Sequence, residues 1–146
     1  MLPDQKPILT FSHTLRSRYS ETDKMGVVYH SRYLEYFEVI RTEFIRQAGL
    51  SYREMEDSGI MLPVSNVEMS FRKPFYYDEL IVGTLSIFNE PAIRLVTYYE
   101  LRGAEETSVR VSGKVTLVFV GVQHRRPVRA PVSFLNKLYE YAKMAG

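Results

Sequence analysis

Apolar and polar positions follow two rhythms along the chain, and each change of rhythm marks an element. Over residues 10–20 the period is two: Phe11, His13, Leu15, Ser17 and Tyr19 alternate with Ser12, Thr14, Arg16 and Arg18. That pattern predicts a strand with one wetter face. Residues 21–29 hold Thr22, Asp23 and Gly26 and read as a loop. The period then becomes three and four. Tyr33, Leu34, Phe37, Ile40, Phe44, Ile45 and Ala48 fall on one face of a helix over residues 31–48. Ser31 is placed to cap its start, and Gly49 stands where a C-terminal glycine belongs. Such a helix is roughly 27 Å long, enough to cross about five strands ~4.8 Å apart. A short helix over 51–58 opens on a Ser51-x-x-Glu54 capping pattern and stops at Gly59.

Period two then returns. Residues 63–73 form a strand with Val67, Met69 and Phe71 on one side, stopped by Pro74. After a turn at Tyr77, Asp78 and Glu79, residues 80–88 follow as a strand with both faces largely apolar. Residues 93–102 and 109–121 are two more strands, the last with Val109, Val111, Val115, Leu117 and Phe119 aligned. Residues 131–145 close the chain as an amphipathic helix with Phe134, Leu135, Leu138, Tyr141 and Ala142 inward. The element order is β, long α, short α, four β, α. Short turns make the last four strands antiparallel neighbours, and the class is α+β with the long helix across one sheet face. The apolar residues of 80–88 leave the other sheet face in need of cover, and a second copy of the chain supplies it most simply.

Composition narrows the options. The 146 residues suit one domain, residues 1–146, large enough for a core without staples. There is no cysteine, which excludes disulfides, thiolate metal sites and a cysteine nucleophile. His13, His30 and His124 are too far apart in sequence to suggest a histidine metal site. The formal charge of +2 gives no sustained basic face for nucleic acid. No apolar run is long enough to span a membrane, and the first residues lack the apolar core of a signal peptide, so the expected location is cytoplasmic. The outliers are 11 Tyr and 8 Phe.

The chemistry lies in residues 19–34: a carboxylate on a loop, a glycine turn, then the start of the long helix. The first amides of that helix lack intrahelical partners and sit at the positive end of its dipole. A carbonyl oxygen placed there is polarised as in an oxyanion hole. Asp23, seven residues before His30, can reach the same carbonyl as nucleophile or activate a water as general base. The residues alone also accommodate a plain turn at Asp23, a spacer role for His30 and core roles for Tyr29, Tyr33 and Tyr36.

The run E-T-D-x-x-G-V-V-Y-H-S-x-Y-L-x-Y-F-E-x-x-R, from Glu21 to Arg41, resembles the signature of the 4-hydroxybenzoyl-CoA thioesterase family. Within it the run is most similar to bacterial acyl-CoA thioesterases associated with the Tol–Pal gene cluster. Residues 71–80, F-R-K-P-F-Y-Y-D-E-L, resemble the family's strand, proline and turn. The resemblance implies a hotdog fold: a five-stranded antiparallel sheet wrapped around a long central helix, here with a C-terminal helix added. It implies hydrolysis of an acyl-CoA thioester to the free acid and CoA. Asp23 then matches the catalytic carboxylate, and His30 the position whose backbone N–H polarises the carbonyl. Gly26 matches the tight turn and Tyr29 the aromatic beside the site. Basic groups are expected to meet the CoA phosphates, with candidates Arg72, Lys73 and the cluster of His124, Arg125, Arg126 and Arg129. No metal or cofactor is required. The implied assembly is a homodimer, or a tetramer built as a dimer of dimers, with the site at a subunit interface. Two other readings stay open: an acyl-thioester dehydratase or hydratase of the same fold, and a non-catalytic acyl-CoA-binding dimer. The glycine-histidine-phenylalanine-proline run usual in the dehydratases is absent.

Overall fold

The computed structural model describes residues 1–145. Seven strands and three helices occur in chain order: β1 (Leu9–Arg16), α1 (Arg32–Gln47), α2 (Tyr52–Asp57), β2 (Ile60–Met61), β3 (Val64–Phe71), β4 (Leu80–Ile87), β5 (Arg94–Gly103), β6 (Val111–Val118), β7 (Val120–Gly121) and α3 (Val132–Ala145). Five of the strands form one antiparallel sheet in the order β1-β4-β5-β6-β3, and α1 crosses its inner face. The apolar stripe of α1 is buried against alternate residues of the strands, including Phe11, Ile81, Leu85, Leu101 and Val115. The helix sits close because Gly113 of β6 leaves room for the Phe37 ring, which stacks on Tyr99 of β5 at 4.5 Å. α3 packs Phe134 and Leu138 inward beside them.

Several expectations need correction. The first strand ends at Arg16, and Tyr19–Glu21 is a 3-10 turn. The turn arises because Ser17 leaves the alternation: its hydroxyl donates to Tyr76 O at 2.5 Å and bends the chain toward the β3–β4 connection. Ser31 starts α1 but makes no side-chain cap. Instead Arg32 N–H donates to Tyr29 O, so a backbone turn begins the helix. Ser51 does cap α2, accepting from Glu54 N–H, and Gly49 ends α1 as expected. The last long strand divides at Phe119: β6 stays in the main sheet, while β7 pairs with β2 in a two-stranded ribbon.

The larger correction concerns β3. It is not the neighbour of β4 but pairs with β6 at the far edge, so β4, β5 and β6 alone are consecutive neighbours. The connection over residues 72–79 crosses three strand spacings, about 14 Å, which eight extended residues span easily. Arg72 and Lys73 N–H groups both turn onto Arg110 O, which sends the chain across the sheet end.

The outward sheet face is also wetter than the apolar reading of residues 80–88 predicts. Ser12 and Thr84 hydroxyls meet at 3.2 Å, Arg102 pairs with Glu100 at 3.0 Å, and Lys114 lies over the Tyr98 ring. Val82 and Val96 lie among these polar pairs, only partly buried. β1 and β3 are the two edges of the sheet, and α3 lies against β1.

Candidate active site

The loop predicted over residues 21–29 is a small hairpin. Tyr29 N–H donates to Glu21 O at 2.9 Å, Thr22 bridges Val28, and Asp23 N–H donates to Val27 O at 2.8 Å. Its tip needs Gly26, whose φ of +78° disfavours a side-chain-bearing residue. Asp23 closes the tip with its own side chain: Oδ1 accepts from Met25 N–H at 2.8 Å and Val27 N–H at 3.4 Å. Among the described residues no donor reaches Oδ2, which stays available for chemistry.

The hairpin rests on the crossing that follows β3. Val28 N–H donates to Phe75 O at 2.8 Å, and Val27 bridges Tyr76. Phe75 N–H donates in turn to the Tyr33 hydroxyl of α1 at 3.2 Å. Burial pushes the Tyr33 phenol above its ordinary range, so it stays neutral. Hairpin, crossing and helix start are thus tied together in pairs.

They enclose an open cleft of about 300 Å³, at the small end of ligand sites. Asp23, Tyr29 and His30 line one part, with Phe71, Arg72 and Lys73 opposite. The rings form a chain: Tyr29 to His30 at 4.3 Å, His30 to Phe71 at 6.3 Å, Phe71 to Tyr33 at 5.7 Å. The N–H groups of His30 and Ser31 have no acceptor among the described residues. The cleft therefore offers a fixed carboxylate, an unpaired amide at the helix start on His30, an aromatic wall and a cationic rim. That set suits a polarised carbonyl joined to an anionic leaving group. Gly26 does not line the cleft but borders a second depression, of about 630 Å³, that Asp23 also borders, with Tyr19 and Tyr77. No three His, Asp or Glu side chains gather as metal ligands among the described residues.

The sequence model of the thioesterase-like superfamily matches residues 17–138. The chain belongs to this superfamily. Its sheet around a central helix is the hotdog fold. YneP of Bacillus subtilis is 33% identical over 129 residues, covering 86% of this chain and 92% of its own. The acyl-CoA thioesterase YbgC of Haemophilus influenzae is 26% identical over 122 residues, 83% of this chain and 88% of its own. Among solved structures, a DHNA-CoA thioesterase from Staphylococcus aureus superposes with a TM-score of 0.81 at 28% identity, over 92% of this chain and 91% of its own. A 4-hydroxybenzoyl-CoA thioesterase shares the fold with a TM-score of 0.80 at 14% identity, over 88% and 98% of the two chains.

Within this superfamily member, the sequence candidates divide into two groups. Asp23, Tyr29, His30, Arg72 and Lys73 converge on the cleft. Arg125 and Arg126 do not line it. They sit on the exposed turn after β7, which the His124 ring braces by accepting from Arg126 N–H at 2.9 Å.

Other residues at the site carry no sequence signal. Arg110, buried at the start of β6, donates to Pro74 O at 3.1 Å, pairs with Glu79 at 2.9 Å and with Glu106, and covers the Phe75 ring. It is the clamp under the crossing. Its hydrogen bonds to Glu106, and then its pairing with Glu79, hold its charge more firmly than usual. Glu21 is buried and takes the Tyr36 hydroxyl at 2.8 Å. Tyr33 and Tyr36 read as core by spacing, and only their hydroxyl partners show otherwise.

Proposed function

We propose that the protein hydrolyses acyl-CoA thioesters, using Asp23 and the start of α1. One observation carries the reading: Asp23, whose Oδ2 is free of donors, lines the same cleft as His30, whose N–H, like that of Ser31 next to it, is unpaired. The thioester carbonyl oxygen lies against those amides, which stabilise the negative charge it gains. Asp23 either attacks the carbonyl carbon or takes a proton from a water that does. The C–S bond breaks and CoA leaves as its thiolate; where Asp23 attacks, water then cleaves the resulting Asp23–acyl anhydride, and by either route the acyl group ends as the carboxylic acid. The thiolate is a good leaving group, so the site needs no strong general acid. Arg72 and Lys73 at the rim suit the CoA phosphates. The names of the relatives support the same substrate class.

The working unit in this reading is a homodimer. β3 is an unpaired edge beside the cleft, with Val64 and Phe71 exposed at its two ends. Pairing two such edges closes the open side of each cleft and lets basic residues of a second chain, Arg125 and Arg126 among them, approach the CoA.

A thiol-release assay over short, long and aromatic acyl-CoAs tests the proposal. Hydrolysis of at least one class is expected. Asp23→Asn and Asp23→Ala are expected to fold and to lose at least 100-fold in kcat. Full activity in either variant would falsify the mechanism. Hydration of enoyl-CoA without thioester cleavage would point to the dehydratase chemistry of the same fold.

A further inference from the structure

Among the described residues, Glu21 is the only buried acidic side chain, 6% exposed. Burying a carboxylate costs several kcal/mol unless donors compensate it. Here Oε1 takes two donors, the Tyr36 hydroxyl at 2.8 Å and Arg18 N–H at 2.7 Å. Oε2 has the guanidinium of Arg18 at 3.4 Å, on a largely exposed side chain. An apolar pair at positions 21 and 36 together would fill the same space at little net cost, so stability alone does not explain the carboxylate–hydroxyl pair.

Its position does. The carbonyl of Glu21 accepts Tyr29 N–H, the hydrogen bond that closes the base of the Asp23 hairpin. Asp23 is two residues along one arm, and His30 follows the other arm directly. Tyr36 stands one turn beyond Tyr33 on α1, the rings 5.9 Å apart. Tyr33 grips the crossing under the hairpin, and Tyr36 grips the hairpin base. The two hydroxyls thereby set the hairpin against the same helix whose first amides face the cleft. Tyr33 borders the cleft, so its substitution would also touch substrate. Tyr36 is buried and does not border it.

We propose that Tyr36 is a positioning residue: its hydroxyl fixes Glu21, and Glu21 fixes the hairpin that aims Asp23 at the carbonyl site. The inference rests on the hydrolase reading above and adds the device that aligns its carboxylate. Burial and the bond to Glu21 hold the Tyr36 phenol far above its ordinary range, so it remains a donor at any working pH.

The test compares kcat, KM and Tm of unaltered protein, Tyr36→Phe, Glu21→Met and the double variant on an acyl-CoA that the unaltered protein hydrolyses. A misalignment of about 1 Å costs on the order of 100-fold. Tyr36→Phe keeps the ring and is expected to lose about 10- to 100-fold in kcat, with KM within about twofold. Glu21→Met, close in size but without an acceptor, is expected to do the same, and it supplies the kcat readout should Tyr36→Phe not fold. The double variant is expected to be no worse than the poorer single one, because both act through one hydrogen bond. A folded Tyr36→Phe with unaltered kcat overturns the proposal, as does a loss carried wholly by KM or losses that multiply. An unaltered protein that hydrolyses no acyl-CoA overturns the hydrolase reading instead and takes this inference with it.

Discussion

At the scale of single residues, the site depends on two kinds of side chain that sequence displays unequally. Asp23, Gly26, Tyr29, His30, Arg72 and Lys73 stand in a recognisable run or beside a proline break, and five of these six line the cleft. Gly26 has a different task, and it can be tested apart from chemistry. Nothing lies within 4 Å of where its Cβ would sit, so Gly26→Ala meets no steric obstacle except its own backbone at φ +78°. The left-handed region costs a residue with a Cβ about 1–2 kcal/mol, which is a Tm loss of about 2–8 °C at this chain length. Gly26→Asn should recover much of that loss, because asparagine tolerates the region. Equal Tm in Gly26→Ala and the unaltered protein would contradict the account. Glu21, Tyr33, Tyr36 and Arg110 were not legible as site residues. Tyrosines on an apolar stripe announce burial, and only contacts from distant segments reveal that their hydroxyls are in use.

At the scale of elements, both long helices and the main strands were legible, because burial on one face imposes a period. Strand order was not. Alternation fixes which residues face inward but says nothing about which neighbour completes the hydrogen bonds. The short turn at residues 77–79 suggested a β3–β4 hairpin, whereas the whole stretch from Arg72 to Glu79 is a crossing. That crossing is held by the Arg110 cluster, and Gly103 leaves the room in which Arg110 and Glu106 meet. The hydrogen bond from Arg110 holds the Glu106 carboxyl below its ordinary value. A carboxyl lowered in the folded state stabilises the fold above its unfolded pKa of about 4.3, and the contribution vanishes as pH falls through the lowered folded value. Glu106→Gln should therefore have a lower Tm than the unaltered protein near pH 6, and the gap should narrow near pH 3. A gap that stays constant across that range would rule out this ion pair as a source of acid sensitivity.

At the scale of the whole molecule, the surplus of tyrosine and phenylalanine has two destinations. Phe37, Phe44, Tyr99, Phe119 and Phe134 fill the core between helices and sheet. Tyr19, Tyr29, Phe71, Tyr76 and Tyr77 remain exposed, together with Met25, on the 3-10 turn, the hairpin, the crossing and the end of β3. A cluster of exposed large apolar groups at one end of a molecule marks a surface that something covers. A substrate in the cleft would cover only part of them, and the unpaired β3 edge runs from Phe71 to Val64. Strand-to-strand pairing of two copies would satisfy the edge and bury the aromatic rim in one step. Lysine on an edge strand is the device by which proteins prevent such pairing. Val64→Lys, a side chain already 41% exposed at the end of β3 remote from Phe71, should leave the fold intact. Light scattering should then show the unaltered protein as a dimer or a multiple of it, and Val64→Lys shifted toward monomer at the same concentration. Activity per chain should fall with the dimer fraction and return at higher protein concentration. Monomers of both proteins, or a monomeric Val64→Lys with full activity, would mean that each chain carries a complete site. The β3 edge would then have no part in catalysis.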